Sequence, residues 1–217
     1  MFTSQNRAFK WGDGIFETIC VRKGIILLES YHLDRIDMGL KLLQINPSIE
    51  KQKLSDNIIE LCKRNNVMES ARVRLEIFRE ENNQPGYVID AHPLSNDHHK
   101  WNSQDWTVGI YPHMRKSMDV FSNLKSVNFL PYVMAGIFAG EQKWNEAILL
   151  NSAGNICDGS KTNVFIIKNE EIFTPALHQG CVNGVMRRYV LEELKKRNFF
   201  IHQKEITEDG LTDADEL

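Results

Sequence analysis

The chain lacks the short signatures of the commonest nucleotide-binding and hydrolytic folds. It has no Walker loop, no GxGxxG opening a helix, no GxSxG elbow and no HExxH pair. Its four cysteines, Cys20, Cys62, Cys157 and Cys181, are far apart and form no CxxC pair, so neither a disulfide framework nor a cysteine-based zinc site is indicated. The pair His98-His99 has no matching cluster of Cys or His and reads as solvated, with no metal site implied. No long apolar run is present. The most apolar stretch, 129–140, is short and contains Pro131, which does not suit a membrane span. The amino terminus, MFTSQNRAFKWGDG, has no apolar segment of the secretory kind, and a cytoplasmic protein is expected. A formal net charge of -3 gives no basic excess for nucleic acid to recognise.

What is present is an ordinary globular composition of 217 residues, 42% hydrophobic and 25% charged, enough for one large domain or two small ones. Strands are predicted over 15–22 and 25–28, joined by a turn at Lys23-Gly24. From Ser30 the period lengthens. Ile36, Leu40 and Leu43 share a helical face that Asn46-Pro47 ends, and a second helix is predicted over 48–64. Ala71, Val73, Leu75 and Ile77 then alternate with Arg72, Arg74 and Glu76, the pattern of a half-buried strand. Further strands are expected over 87–91 and 107–111. The second half reads as a helix over 130–143, strands over 147–150, 163–167 and 172–173, a helix over 184–197 and a strand over 200–205.

Several positions invite a chemical reading, and each has a plainer one beside it. Gly12-Asp13-Gly14 is glycine-rich but short, and a tight turn is favoured over a phosphate cradle. Lys125 stands between Leu124 and, two residues on, Val127; a desolvated lysine can attack an aldehyde, although most lysines are surface charges. Asn183 is a plausible N-cap for the helix that follows, and Gly184 would allow close backbone approach. The free N–H groups of such a helix start suit an anion, while capped helices without ligands are commoner. Arg35, in His32-Leu33-Asp34-Arg35, fits a bidentate phosphate ligand or a surface ion pair, and spacing alone leaves both open.

Taken in order, these pieces resemble the class IV, or fold-type IV, pyridoxal-phosphate (PLP) enzymes, which include branched-chain and D-amino-acid aminotransferases and aminodeoxychorismate lyase. The matching segments begin with Asn6-Arg7-Ala8-Phe9-Lys10-Trp11-Gly12-Asp13-Gly14-Ile15-Phe16-Glu17-Thr18 and His32-Leu33-Asp34-Arg35-Ile36. Leu124-Lys125-Ser126-Val127-Asn128 follows, then residues 151–165 with Gly154, Asp158 and Asn163-Val164-Phe165. Thr174-Pro175 and Gly180-Cys181-Val182-Asn183-Gly184-Val185-Met186-Arg187 complete the set, which spans nearly the whole chain.

The resemblance implies an α+β fold of two domains, a small one over 1–113 and a larger, cofactor-binding one over 114–217. Relatives continue beyond Asp213-Ala214-Asp215-Glu216-Leu217, so the C-terminal part is expected to be truncated and that domain incomplete. It also implies PLP as cofactor. Lys125 matches the Schiff-base lysine, which also moves the substrate proton; Arg35 matches the phosphate-gripping arginine; Val185 and Met186 match residues whose backbone N–H groups complete the phosphate site. Asp158 falls where the family usually has a glutamate facing the pyridine nitrogen, and it is one methylene shorter. Trp11, Arg79 and Tyr87 match positions that can face the substrate, although for Arg79 a structural role is favoured. A homodimer is implied as well.

Transamination of an amino acid with a 2-oxo acid is the leading functional expectation because it is the family's broader activity. Met186, where transaminases more often show threonine, and Gly86-Tyr87 lean instead toward aminodeoxychorismate lyase, which releases pyruvate and 4-aminobenzoate. A third reading is an inactive, truncated remnant of the fold that binds a partner.

Overall fold

The computed structural model describes residues 4, 6–80, 83–95 and 104–217, so the pair His98-His99 lies outside the described residues. The chain divides into two compact units. The first comprises Met1–Asn102 with Lys125–Asn128, the second Ser103–Leu124 with Phe129–Leu217.

The first unit opens with the short helix α1 (Arg7–Trp11), capped by the Asn6 side chain and ended by Gly12 at φ 66°, a left-handed conformation that costs glycine nothing. The Gly12-Asp13-Gly14 segment is thus a tight turn. Strand β1 (Gly14–Arg22) turns at Lys23-Gly24 into the two-residue β2 (Ile25–Ile26). Helices α2 (Glu29–Leu42) and α3 (Lys51–Arg64) follow, then the long strands β3 (Ser70–Arg79) and β4 (Pro85–Pro93). The four strands form an antiparallel sheet in the order β2-β1-β3-β4. Alternation sets its buried face: Ala71, Val73, Leu75 and Ile77 are all buried, as their spacing predicts. Ile36 and Leu40 of α2 and Leu54 and Ile58 of α3 are buried with them. Each such side chain contributes about 1.5–3 kcal/mol by leaving water.

The second unit begins at Ser103, earlier than a boundary near 113 would place it, because its first strand, β5 (Val108–Lys116), pairs in parallel with β6 (Glu146–Asn151) across the intervening helix α4 (Leu130–Gln142). Pro131 sits in the first turn of α4, where its missing N–H costs nothing. Strand β7 (Ile156–Gly159) pairs antiparallel with β6. A second small sheet contains β8 (Ile166–Lys168), β9 (Glu171–Pro175) and, after helix α5 (Val185–Lys196), β10 (Ile201–Lys204), which lies parallel to β9. The short α6 (Glu208–Thr212) follows, capped by Thr207.

Every residue of β6 is buried, and its two faces feed different clusters. Ala147 and Leu149 pack with Tyr132, Ala135 and Ala139 of α4, whereas Ile148 and Leu150 pack with Ile156, Val164, Ile166 and Phe173. A strand covered on both sides has no polar alternation, which accounts for the continuous apolar run at 147–150. Among the described residues no helix is long and apolar enough to cross a membrane.

Candidate active site

Asp158 is the most deeply buried carboxylate among the described residues of the second unit. It lies in β7 with 1% of its surface exposed. Its Oδ2 accepts hydrogen bonds from Lys116 Nζ at 3.0 Å, from Tyr132 OH at 2.7 Å and from the Val182 backbone N–H at 3.0 Å. Its Oδ1 accepts from Asn163 Nδ2 at 3.0 Å. Burial pushes the Tyr132 phenol far above its ordinary value and the Asp158 charge pushes it further, so Tyr132 keeps its proton and donates it. A second buried carboxylate, Glu146, fixes the turn after Asp158. It accepts from the backbone N–H and hydroxyl of Ser160, the N–H of Lys161 and the hydroxyl of Thr162.

The start of α5 is built close to this cluster. The helix begins one residue later than an Asn183 cap would imply. Gly184 is the N-cap, extended at φ -65° and ψ 140°, and no side chain caps the first turn. Asn183 instead donates its backbone N–H to the Asn123 carbonyl at 3.1 Å. A methyl group on Gly184 would stand 1.9 Å from Asn163 Oδ1, so only glycine permits this approach. Asn163 Nδ2 also donates to the Val182 carbonyl at 2.9 Å, linking the turn before α5 to Asp158. The Asn123 side chain reinforces the same turn by donating to the carbonyls of Leu177 at 2.8 Å and Cys181 at 2.6 Å. In the first turn of α5, Val185 is buried and Met186 is largely exposed. Arg187 runs inward to the Pro175 carbonyl at 2.9 Å and Gln203 at 3.0 Å, while its Nε has no hydrogen-bond partner among the described residues.

The other site candidates lie in the first unit. Residues 125–128 line up with the start of β1. Phe16 N–H donates to the Lys125 carbonyl at 2.8 Å, Val127 N–H donates to the Gly14 carbonyl at 3.1 Å, and Ile15 bridges Ser126. The half-buried Lys125 ammonium sits 4.5 Å from the centre of the Phe16 ring. On α2, Arg35 is joined to the buried Glu17 of β1, which also pairs with His32 Nδ1 at 2.7 Å. Burial raises the Glu17 carboxyl, and the bonds from His32 and Arg35 outweigh it, leaving Glu17 below the ordinary carboxylate range.

Arg79 is engaged at the end of α2. It pairs with Asp13 and donates to the carbonyls of Leu43 at 2.7 Å and Gln44 at 3.1 Å, and to Asn83. Trp11 is exposed beneath the cations of Arg7 and Lys10. Tyr87 OH accepts from Asn57 at 2.8 Å.

The profile of the amino-transferase class IV family matches residues 14–217. The chain belongs to that family. It is 29% identical over 217 residues to a protein of Methanocaldococcus jannaschii named provisionally as a branched-chain-amino-acid aminotransferase, covering 95% of this chain and 74% of that one. It is 27% identical over 221 residues to the aminodeoxychorismate lyase of Vibrio harveyi, covering 98% and 80%. The branched-chain aminotransferase of Thermoproteus uzoniensis, solved with norvaline, has the same fold at a TM-score of 0.86 and 22% identity, with 99% of this chain and 76% of that chain covered. The chain therefore spans about three quarters of the length of these relatives.

Class IV aminotransferases are PLP enzymes, and two features of the second unit fit the chemistry of such a cofactor. One is the buried Asp158 carboxylate, an acceptor of the kind a ring nitrogen would meet; the other is the start of α5, which has no side-chain cap and whose cap position only glycine can fill beside Asn163. Sequence reasoning missed Lys116, Tyr132 and Glu146 as supports of this cluster, and Glu17 as the partner of Arg35. Lone lysines and a tyrosine in an apolar helix carry no spacing signal. Glu17 was visible only as part of a longer matched segment.

Proposed function

We propose that this chain is a PLP-dependent aminotransferase, moving an amino group between an amino acid and a 2-oxo acid. The observation that carries the reading is the buried Asp158 carboxylate, held by four donors beside the start of α5 in a chain of the class IV family. PLP, when bound, supplies a ring that takes up the electron pair left at the substrate α-carbon. Each residue then has a task of its own. Lys125 carries the amine that attaches the cofactor covalently and moves the proton at the α-carbon. Arg35, oriented by Glu17, pairs with the phosphate, which the backbone N–H groups of Val185 and Met186 also receive. Asp158 offers its carboxylate to the ring nitrogen, and Tyr132, Asn163 and Val182 hold it in place. Trp11 and Tyr87 are candidates for contact with the substrate, whereas the bonds around Arg79 support a structural role for that residue. The active form is a homodimer in the cytoplasm, as the family resemblance implies.

The test is the visible absorption spectrum after PLP addition, followed by borohydride reduction and peptide mapping. A band that becomes fixed on Lys125 supports the reading, and a folded protein that forms no band defeats it. A second reading, aminodeoxychorismate lyase, is favoured by the match to the Vibrio harveyi enzyme across 98% of this chain. Feeding the loaded protein an amino acid with 2-oxoglutarate, and separately aminodeoxychorismate, separates the two. Glutamate marks the transaminase; pyruvate with 4-aminobenzoate marks the lyase.

A further inference from the structure

Lys116 and Asp158 form a buried ion pair, with only 8% and 1% of their surfaces exposed. Lysine is almost never buried without a partner, and here the strand itself delivers it. The register of β5 against β6 shifts between Ile110 and Arg115, and the last residue of β5, Lys116, turns inward beyond that irregularity. Its ammonium reaches Asp158 Oδ2 at 3.0 Å and lies 5.1 Å from the centre of the Tyr132 ring.

That oxygen already accepts from two neutral donors, Tyr132 OH and Val182 N–H, which suffice to satisfy its lone pairs. Lys116 therefore adds something the hydrogen bonds do not need, a full positive charge on a carboxylate. Two cations that share one carboxylate repel each other, and in a buried setting the repulsion is only weakly screened.

We propose that Lys116 is a built-in rival of the cofactor's ring nitrogen for the charge of Asp158, so that this chain prefers a protonated ring less strongly than its buried carboxylate alone would dictate. Lys116 acts through Asp158 and is a positioning residue with an electrostatic effect. The inference rests on the proposed reading that Asp158 serves the ring nitrogen.

The experiment compares dissociation constants for PLP and for its carbocyclic analogue, in which carbon replaces the ring nitrogen. They are measured by absorbance titration on the wild-type protein and on Lys116→Met, Lys116→Gln and Lys195→Gln. The quantity read is the preference for PLP over the analogue. Removing the rival charge should raise that preference about tenfold in both Lys116 variants. Lys116→Gln retains a donor without the charge and serves if Lys116→Met does not fold. Lys195→Gln removes an exposed charge near the far end of α5 and should leave the preference unchanged. A preference that stays level or falls in the Lys116 variants overturns the inference, as does an equal rise in Lys195→Gln. A wild-type protein that binds both compounds equally, or binds neither, overturns the underlying reading and the inference with it. A wild type that prefers PLP, with Lys116 variants unmoved, sinks the inference alone.

Discussion

Both oxygens of Glu17 are taken by the guanidinium of Arg35, Nε to Oε1 at 2.7 Å and a terminal nitrogen to Oε2 at 2.5 Å. The fork fixes the plane of Arg35 from β1, while the arginine itself rides on α2. Two elements of the first unit thus set the direction of one cation.

Glu17→Gln should lower stability at neutral pH by about 3–5 kcal/mol, because it leaves Arg35 without its buried counter-charge. Glu17 is held below its ordinary value of 4.5, so the wild-type contribution is fully present above that pH and disappears as pH falls through the lower, folded value. Urea unfolding across the acid range checks both points: the variant should be less stable at neutral pH, with a gap to wild type that narrows in acid. A constant gap would remove the charge from the explanation.

Lys125→Ala should abolish borohydride-stable attachment of PLP while changing folding stability by less than roughly 1 kcal/mol, since Lys125 joins β1 through backbone groups that alanine retains. Mass spectrometry after reduction, paired with a thermal melt, separates loss of chemistry from loss of fold. Persistent labelling would move the reactive amine elsewhere.

Gly184→Ala should destabilise the second unit by about 1–3 kcal/mol through overpacking against Asn163. Phosphate affinity of the α5 start should fall with it, because Asn163 must leave either Asp158 or the Val182 carbonyl. Calorimetry and PLP titration of the purified variant test this, and an unchanged melting temperature would show that the chain shifts to admit the methyl.

Cys157 and Cys181 are buried, and burial followed by the nearby Asp158 charge pushes both thiols up, Cys181 to about 11. The thiolate is the reactive form, so neither should react with a disulfide reagent at neutral pH until the second unit opens. Their modification rates should therefore track urea-induced unfolding of that unit. Fast labelling in the native protein would contradict the burial described above.

Much of the fold was legible because the period of the apolar residues was clean. The alternation at Ala71, Val73, Leu75 and Ile77 reads directly as β3, and Ile36 with Leu40 reads as the buried face of α2. Strand β7 was not legible. It is four residues, Ile156–Gly159, one each of apolar, thiol, acidic and glycine, too short for any period. The boundary between the units was displaced because β5 finds its partner in β6, some thirty residues on, and sequence-local signals do not report such pairings. Asn183 looked like a helix cap, but the chain stays extended through Gly184 and hands that position to the glycine. Of the residues proposed for function, Lys125, Arg35 and Asp158 were named through the family resemblance. Lys116 was not, since nothing in a strand's final lysine announces that it turns inward.

Residues 125–127 are pinned to β1 at two backbone points within the first unit, Phe16 N–H to the Lys125 carbonyl and Val127 N–H to the Gly14 carbonyl. Their spacing must match that of Gly14 and Phe16 on the strand. A residue inserted between Lys125 and Val127 would break that match, whatever amino acid it was. An insertion-scanning library would reveal these three positions as a narrow intolerant notch in the chain.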